Sequence, residues 1–233
     1  MPRLALMIDL ERCTGCKSCE AACKSEHALG PTERHNRVVW LGSKLEENSD
    51  NNQALDFLAL ACQHCERPAC VRACPVSPKA ISKNKETGVV TVNEDACVGC
   101  GECVTACPYG AMGFDPDGRH AVKCDLCSDR RAEGAATTAC AAVCPTKAIT
   151  FGERDELLKT TETNNREMIK NDPFLLGPAT IYLDRTTNKQ EKFDAADRNS
   201  PKVIDSFTNI SIDDTVFPYG HSREDREINR IEA

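Results

Sequence analysis

The sequence predicts an α+β fold built from two similar units related by a pseudo-twofold axis, with a surface insertion and an extended C-terminal arm. Three observations predict it. Cysteines occur only between residues 13 and 144, and they fall into four runs. The junction after three of those runs is nearly the same text, CPVSPKAI, CPYGAM and CPTKAI. Short β-type segments flank the runs, so each copy reads as strand, cysteine loop, short helical turn and strand. One copy cannot bury its own apolar face, so copies must pair.

Composition explains why the cysteines matter to the fold. Of 233 residues, 40% are hydrophobic and only 5% aromatic, against 28% charged. That is a thin core for the length. Sixteen cysteines offset it if they hold metal, because binding free energy is then folding free energy. The even count also admits a disulfide framework. That reading loses weight because such frameworks belong to short secreted chains, and MPRLALMIDLERC has no signal-peptide pattern. Apolar runs such as LALMI and LALAC are too short to cross a bilayer, so no direct membrane span is expected. The chain is expected to be cytoplasmic as written, or to cross a membrane folded with a signal-bearing partner. A net charge of −7 without a basic stripe excludes nucleic-acid binding.

In chain order, LALMIDL (4–10) is a strand feeding the first run, Cys13, Cys16, Cys19 and Cys23, spaced C-x2-C-x2-C-x3-C. Residues 25–54 form a cysteine-free insertion. Within it RVVWL (37–41) is a strand or hairpin arm, and EENSDNNQ (46–53) is a polar loop. Trp40 is the sole tryptophan, read as local packing in preference to an interface anchor. LDFLALA (55–61) leads to the second run, Cys62, Cys65, Cys70 and Cys74, spaced C-x2-C-x4-C-x3-C. AIS and VVTV are strands joined by a turn at NKETG. They deliver the third run, Cys97, Cys100, Cys103 and Cys107, spaced as the first. AMGF, the turn DPDGR and HAVKC form another hairpin. It leads to the fourth run, Cys124, Cys127, Cys140 and Cys144, spaced C-x2-C-x12-C-x3-C. The insert SDRRAEGAATTA is a compact surface loop, and KAITFG (147–152) closes the unit as a strand. Beyond it come a helical start at 153–170, a strand at ATIYLDR (179–185) and a polar stretch, 186–233, with isolated apolar residues. That stretch reads as a disordered tail or as an arm ordered on a larger partner.

The spacing C-x2-C-x2-C-x3-C followed by proline is that of a [4Fe–4S] cluster loop, here at Cys97–Pro108. Zinc ribbons use pairs of C-x2-C far apart, one ion per four thiolates, and have no need of three cysteines within seven residues. All sixteen positions are cysteine, so four complete [4Fe–4S] clusters are expected, with no open iron for substrate. That favours electron relay over catalysis at the clusters.

In two-cluster ferredoxins the fourth cysteine of a run serves the other cluster. The runs must then be paired. The second and third are joined by one hairpin, which pairs them and leaves the first with the fourth. The expected sets are Cys62, Cys65, Cys70 with Cys107; Cys97, Cys100, Cys103 with Cys74; Cys13, Cys16, Cys19 with Cys144; and Cys124, Cys127, Cys140 with Cys23. The corresponding division is 1–24 with 120–152 as one ferredoxin-like unit and 55–119 as the other. The insertion at 25–54, an extension at 153–185 and the arm at 186–233 complete it.

Lys17, Lys24, Arg67, Arg72, Lys123 and Arg130 lie beside ligands and could raise local potentials, but most read as solvated charges. His64, inside C-Q-H-C, reads as a residue packed behind the ligands or at the surface. His27, His35, His120 and His221 are scattered singly and suggest no site. No catalytic triad, phosphate loop or dinucleotide fingerprint is present.

The motifs IDLERCTGCKSCEAACK, CQHCERPACVRACP, CVGCGECVTACPYGA and KCDLCSDRRAEG with CAAVCPTKAITFG, in this order, resemble the iron–sulfur subunit of molybdopterin oxidoreductases. This is the dimethyl sulfoxide, polysulfide, thiosulfate and tetrathionate reductase small-subunit type. The resemblance covers residues 4–185. It implies a large catalytic partner bearing a molybdenum or tungsten bis-pterin cofactor. It also implies a wire of four clusters between that cofactor and a quinone-linked membrane subunit or soluble carrier. Two alternatives share the cysteine pattern: a free polyferredoxin, and a subunit of a hydrogenase or tungsten aldehyde oxidoreductase. The insertion and the long arm favour a docked subunit over a shuttle.

Overall fold

The computed structural model describes residues 3–31, 33–40, 57–115, 117–163, 166, 168–169 and 171–183. The expected polar loop at 46–53, the Trp40 side chain, His221 and the arm at 186–233 lie outside the described residues. In chain order the elements are β1 (Leu4–Asp9), α1 (Ser18–Glu26), β2 (Asn36–Trp40), β3 (Phe57–Ala61), α2 (Ala69–Ala73), β4 (Ile81–Lys83), β5 (Val90–Val92), α3 (Glu102–Ala106), β6 (Met112–Asp115), β7 (His120–Lys123), α4 (Ser128–Ala132), α5 (Ala139–Val143), β8 (Ile149–Glu153), α6 (Arg154–Thr163) and β9 (Ile181–Leu183). The fold is a mixed α and β one.

β1 is the centre of a three-stranded sheet ordered β8-β1-β9. Its continuous apolar text fits a strand buried on both faces, and every residue after Leu4 is buried. It pairs antiparallel with β8, Leu6 opposite Phe151 and Ile8 opposite Ile149. It pairs parallel with β9, Met7 opposite Ile181. Leu6 and Ile8 join the core that holds the cysteines, while Ala5 and Met7 face α6 and Leu157. The alternation of a strand thus splits one element between two cores.

Three antiparallel hairpins complete the sheets: β2 with β3, β4 with β5, and β6 with β7. The β4–β5 hairpin links the second run to the third, and β6–β7 links the third to the fourth. α1 packs on α5, and α2 on α3. The first run is therefore packed against the fourth, and the second against the third.

Two expectations change. The stretch SDRRAEGAATTA is not one loop: it opens as α4, and its end is buried. Thr138 is fully buried as the N-cap of α5, where its hydroxyl accepts from Ala141 N at 3.4 Å. The segment after α6 does more than extend the chain. Residues 176–179 run along the second cysteine loop, with Glu66 N donating to Gly177 O (2.8 Å), Arg67 N to Leu176 O (3.0 Å) and Ala179 N to Gln63 O (2.7 Å).

Candidate metal centres

The short helices set where the fourth thiol of each run goes. Cys70, Cys103 and Cys140 sit in α2, α3 and α5, and Cys74, Cys107 and Cys144 end those helices in extended backbone. Each of those three precedes a proline, which disfavours helical geometry in the residue before it. Cys23 precedes Lys24, and α1 accordingly runs on to Glu26, with Cys19 and Cys23 one turn apart and both buried. A substitution visible in the sequence, lysine for proline, thus lengthens one helix of four.

Upstream of the helices the loops need left-handed backbone. Gly99 has φ +70°, and a Cβ there would stand 2.4 Å from the carbonyl oxygen of Arg119. Only glycine fits that approach. Gly101 has φ +72° in open space, and Lys17 occupies the same place in the first run at φ 60°.

The thiols gather across runs. One cavity is lined by Cys97, Cys100 and Cys103 together with Cys74. A second is lined by Cys13, Cys16 and Cys19 together with Cys144. Cys107 acts electrostatically on Cys65 and Cys70, and Cys62 acts on Cys107. Cys23 feels Cys140 first among the thiols and Cys127 next. All sixteen cysteines are free thiols.

Burial raises most of these thiols. Cys19 is pushed up to about 12, first by burial and then by Cys140. Cys65 and Cys70 reach about 12, by burial and then by Cys62. Cys103 rises to about 11, by burial and then by Cys97. Buried Cys124 is raised well above the ordinary thiol value, and its largest influence after burial is Cys62, from the second run. Such groups of thiols can become thiolates together only with positive charge in their midst. The donor set therefore fits an iron–sulfur core: each cavity is lined by four thiols, and the second also by Thr14 and Thr146. Backbone donors already point at sulfur: Ala148 N donates to Cys144 Sγ at 3.2 Å and His64 N to Cys62 Sγ at 3.4 Å.

Of the two places open to His64, the structure has it packed behind the ligands: it is 1% exposed, and its Nδ1 accepts from Val90 N at 3.0 Å. The surroundings differ from the sequence reading at two places. Lys123 is not solvated: it is 4% exposed, and its ammonium donates to Val90 O and Cys124 O. The text HAVK does not alternate, and although Ala121, Val122 and Lys123 are all buried, a lysine at its end gives no sign of its carbonyl partners. His27 and His35 are not scattered: their rings lie 4.8 Å apart beside Cys23. His35 is lowered to about 4, by burial and then by His27. Lys24 donates to Gly30 O and Pro31 O at 2.7 Å, Arg72 to Arg67 O at 3.0 Å, and Arg130 pairs with Glu26 at 3.1 Å.

This architecture, cysteine loops followed by short helices that pack in pairs, defines an iron–sulfur protein of the [4Fe–4S] ferredoxin class. Family models agree: a 4Fe-4S dicluster domain matches residues 53–154 and a 4Fe-4S binding domain residues 4–25. Among curated proteins the sequence is 42% identical over 156 residues to the B subunit of anaerobic dimethyl sulfoxide reductase of Escherichia coli, covering 65% of this protein and 74% of the relative. It is 32% identical over 187 residues to the thiosulfate reductase electron transfer subunit PhsB of Salmonella typhi, covering 80% and 95%. It is 34% identical over 154 residues to the B subunit of polysulfide reductase of Wolinella succinogenes, covering 66% and 78%. This protein belongs to the family of iron–sulfur subunits of the dimethyl sulfoxide, thiosulfate and polysulfide reductases.

Proposed function

We propose that the chain is an electron-transfer subunit that holds four [4Fe–4S] clusters in two pseudo-twofold units and relays electrons for a molybdenum or tungsten bis-pterin catalytic subunit. The observation that carries it is the crossing of runs at the two cavities, Cys74 with the third run and Cys144 with the first. The ligand sets are Cys62, Cys65, Cys70 and Cys107; Cys97, Cys100, Cys103 and Cys74; Cys13, Cys16, Cys19 and Cys144; and Cys124, Cys127, Cys140 and Cys23. When bound, each cluster supplies a one-electron site whose potential depends on hydrogen bonds to sulfur and on exposure.

The chain does the positioning. Shared bracing keeps the sets of one unit close, since each run sends its last thiol into its partner. Cys62 and Cys124 bring the two units together, because both are buried in the same core cluster. That makes the sets of Cys62 and Cys124 central and those of Cys97 and Cys13 terminal. The terminal sets reach the surface, where Cys100 and Cys16 are exposed. Those ends suit the two exchange partners, the catalytic subunit at one and a quinone-linked membrane subunit or soluble carrier at the other. Among the described residues no helix is long and apolar enough to cross a membrane, so the chain would meet the membrane through a partner. Export, where it occurs, would be in the folded state with a signal-bearing subunit.

Affinity purification of the tagged chain from its own cells tests this. A large pterin-containing partner whose reduced cofactor is oxidised through the chain is the expected result. A lone chain that exchanges electrons freely with several enzymes would identify a polyferredoxin instead, and a nickel–iron partner a hydrogenase subunit.

A further inference from the structure

Lys123 is a buried cation that enters none of the ion pairs formed among the described residues. Its ammonium has two carbonyl partners, Val90 O on β5 and Cys124 O at the start of the fourth cysteine run. Carbonyl dipoles solvate a buried charge in part and do not neutralise it, so a lysine kept in such a place calls for an anion nearby. The anions available are the thiolates on either side. Val90 connects one side, because its N–H donates to Nδ1 of His64, between Cys62 and Cys65. Cys124 is the other side. Val90 packs in one core cluster with Cys70, of the Cys62 set, so the two carbonyls that hold Lys123 belong one to each side.

A [4Fe–4S] core with four thiolates is an anion, and it gains one more negative charge on reduction. Two such anions meeting at Cys62 and Cys124 repel each other more when either is reduced, and a fixed cation between them offsets this.

We propose that Lys123 is the shared counter-ion of the two central clusters, a positioning residue that raises the reduction potentials of the Cys62–Cys65–Cys70–Cys107 and Cys124–Cys127–Cys140–Cys23 sets and so keeps the step between the units passable. The step moves one electron, oxidising one set and reducing the other, with no bond made or broken. This rests on the cluster assignment above.

EPR-monitored potentiometry of the full chain, loaded anaerobically with iron and sulfide, tests it with K123Q and K123R. Gln keeps hydrogen-bond donors without charge, and Arg keeps the charge. Signals are assigned by those altered in C65S and C127S. The expected result is that K123Q lowers the reduction equilibrium constant of both central sets at least tenfold, about 59 mV for a one-electron couple, and leaves both terminal sets in place. K123R keeps all four near the wild-type values. Wild-type potentials in K123Q, or an equal fall at all four sets, overturn the proposal. If K123Q does not hold its clusters, K123R decides: unchanged central potentials support the charge role, and a fall at either central set contradicts it. Iron and sulfide content, measured alongside, separates this outcome from a failure of the four-cluster reading, which would leave fewer clusters in the wild-type chain itself.

Discussion

Cys74 and Cys97 line one cavity, although the first ends the second cysteine run and the second begins the third. Pro75 forces the extended backbone at Cys74 that sends its thiol away from its own run. The same device acts at Cys107 and Cys144.

Ligand crossing makes a sharp prediction for serine variants. C74S and C97S should alter the same EPR signal, and C107S should alter the one altered by C65S. If C107S instead changes the signal altered by C97S, each run holds its own cluster and the crossed sets are wrong.

The two glycines of the third loop should respond differently. G99A places a Cβ against a backbone oxygen at 2.4 Å, with no flexible side chain to yield, so cluster loading in the third run should collapse. G101A meets nothing within 4 Å and incurs only left-handed strain, about 1–2 kcal/mol. Iron content and thermal unfolding of the loaded variants measure both, and equal effects would count against the close approach.

In the core, Leu6 is 1% exposed and packs in the cluster that includes Cys19, Cys62, Cys124 and Cys140. L6A should cost about 2–5 kcal/mol. V98A, at a side chain 68% exposed, should stay within about 0.5 kcal/mol of the parent. Denaturant unfolding under anaerobic conditions compares them.

The metal-free chain should lose stability in alkali. Cys19, Cys65 and Cys70 rise from 9.0 to about 12 on folding, so the folded chain favours the neutral thiol. A raised folded-state value gives stability that is fully present below about pH 9 and is lost as pH climbs toward 12. Iron binding has the opposite slope, because it must release those protons. Circular dichroism of the metal-free chain across that window checks the first, and proton release on loading checks the second. A metal-free fold indifferent to pH from 9 to 12 would show that the thiols are not buried as described.

Much of this was legible in the sequence because cysteine spacing is a local code. The strands β1, β4 to β8 and their turns also follow from short-range pattern. What local text could not carry is partnership over long separations. β9 pairs with β1 across more than the whole cysteine region, and Arg3 donates to His64 O at 3.1 Å. Asn171 likewise reaches Gln63 Oε1 at 3.0 Å. Lys123 and His64 look like polar residues beside ligands until β5 is laid against them.

Mössbauer spectroscopy of the full chain after anaerobic loading with ⁵⁷Fe and sulfide tests the central claim most directly. Four [4Fe–4S] clusters per chain, with matching iron and acid-labile sulfide, is the predicted result. Isolated iron in thiolate sites, or a plateau at two clusters, would contradict it.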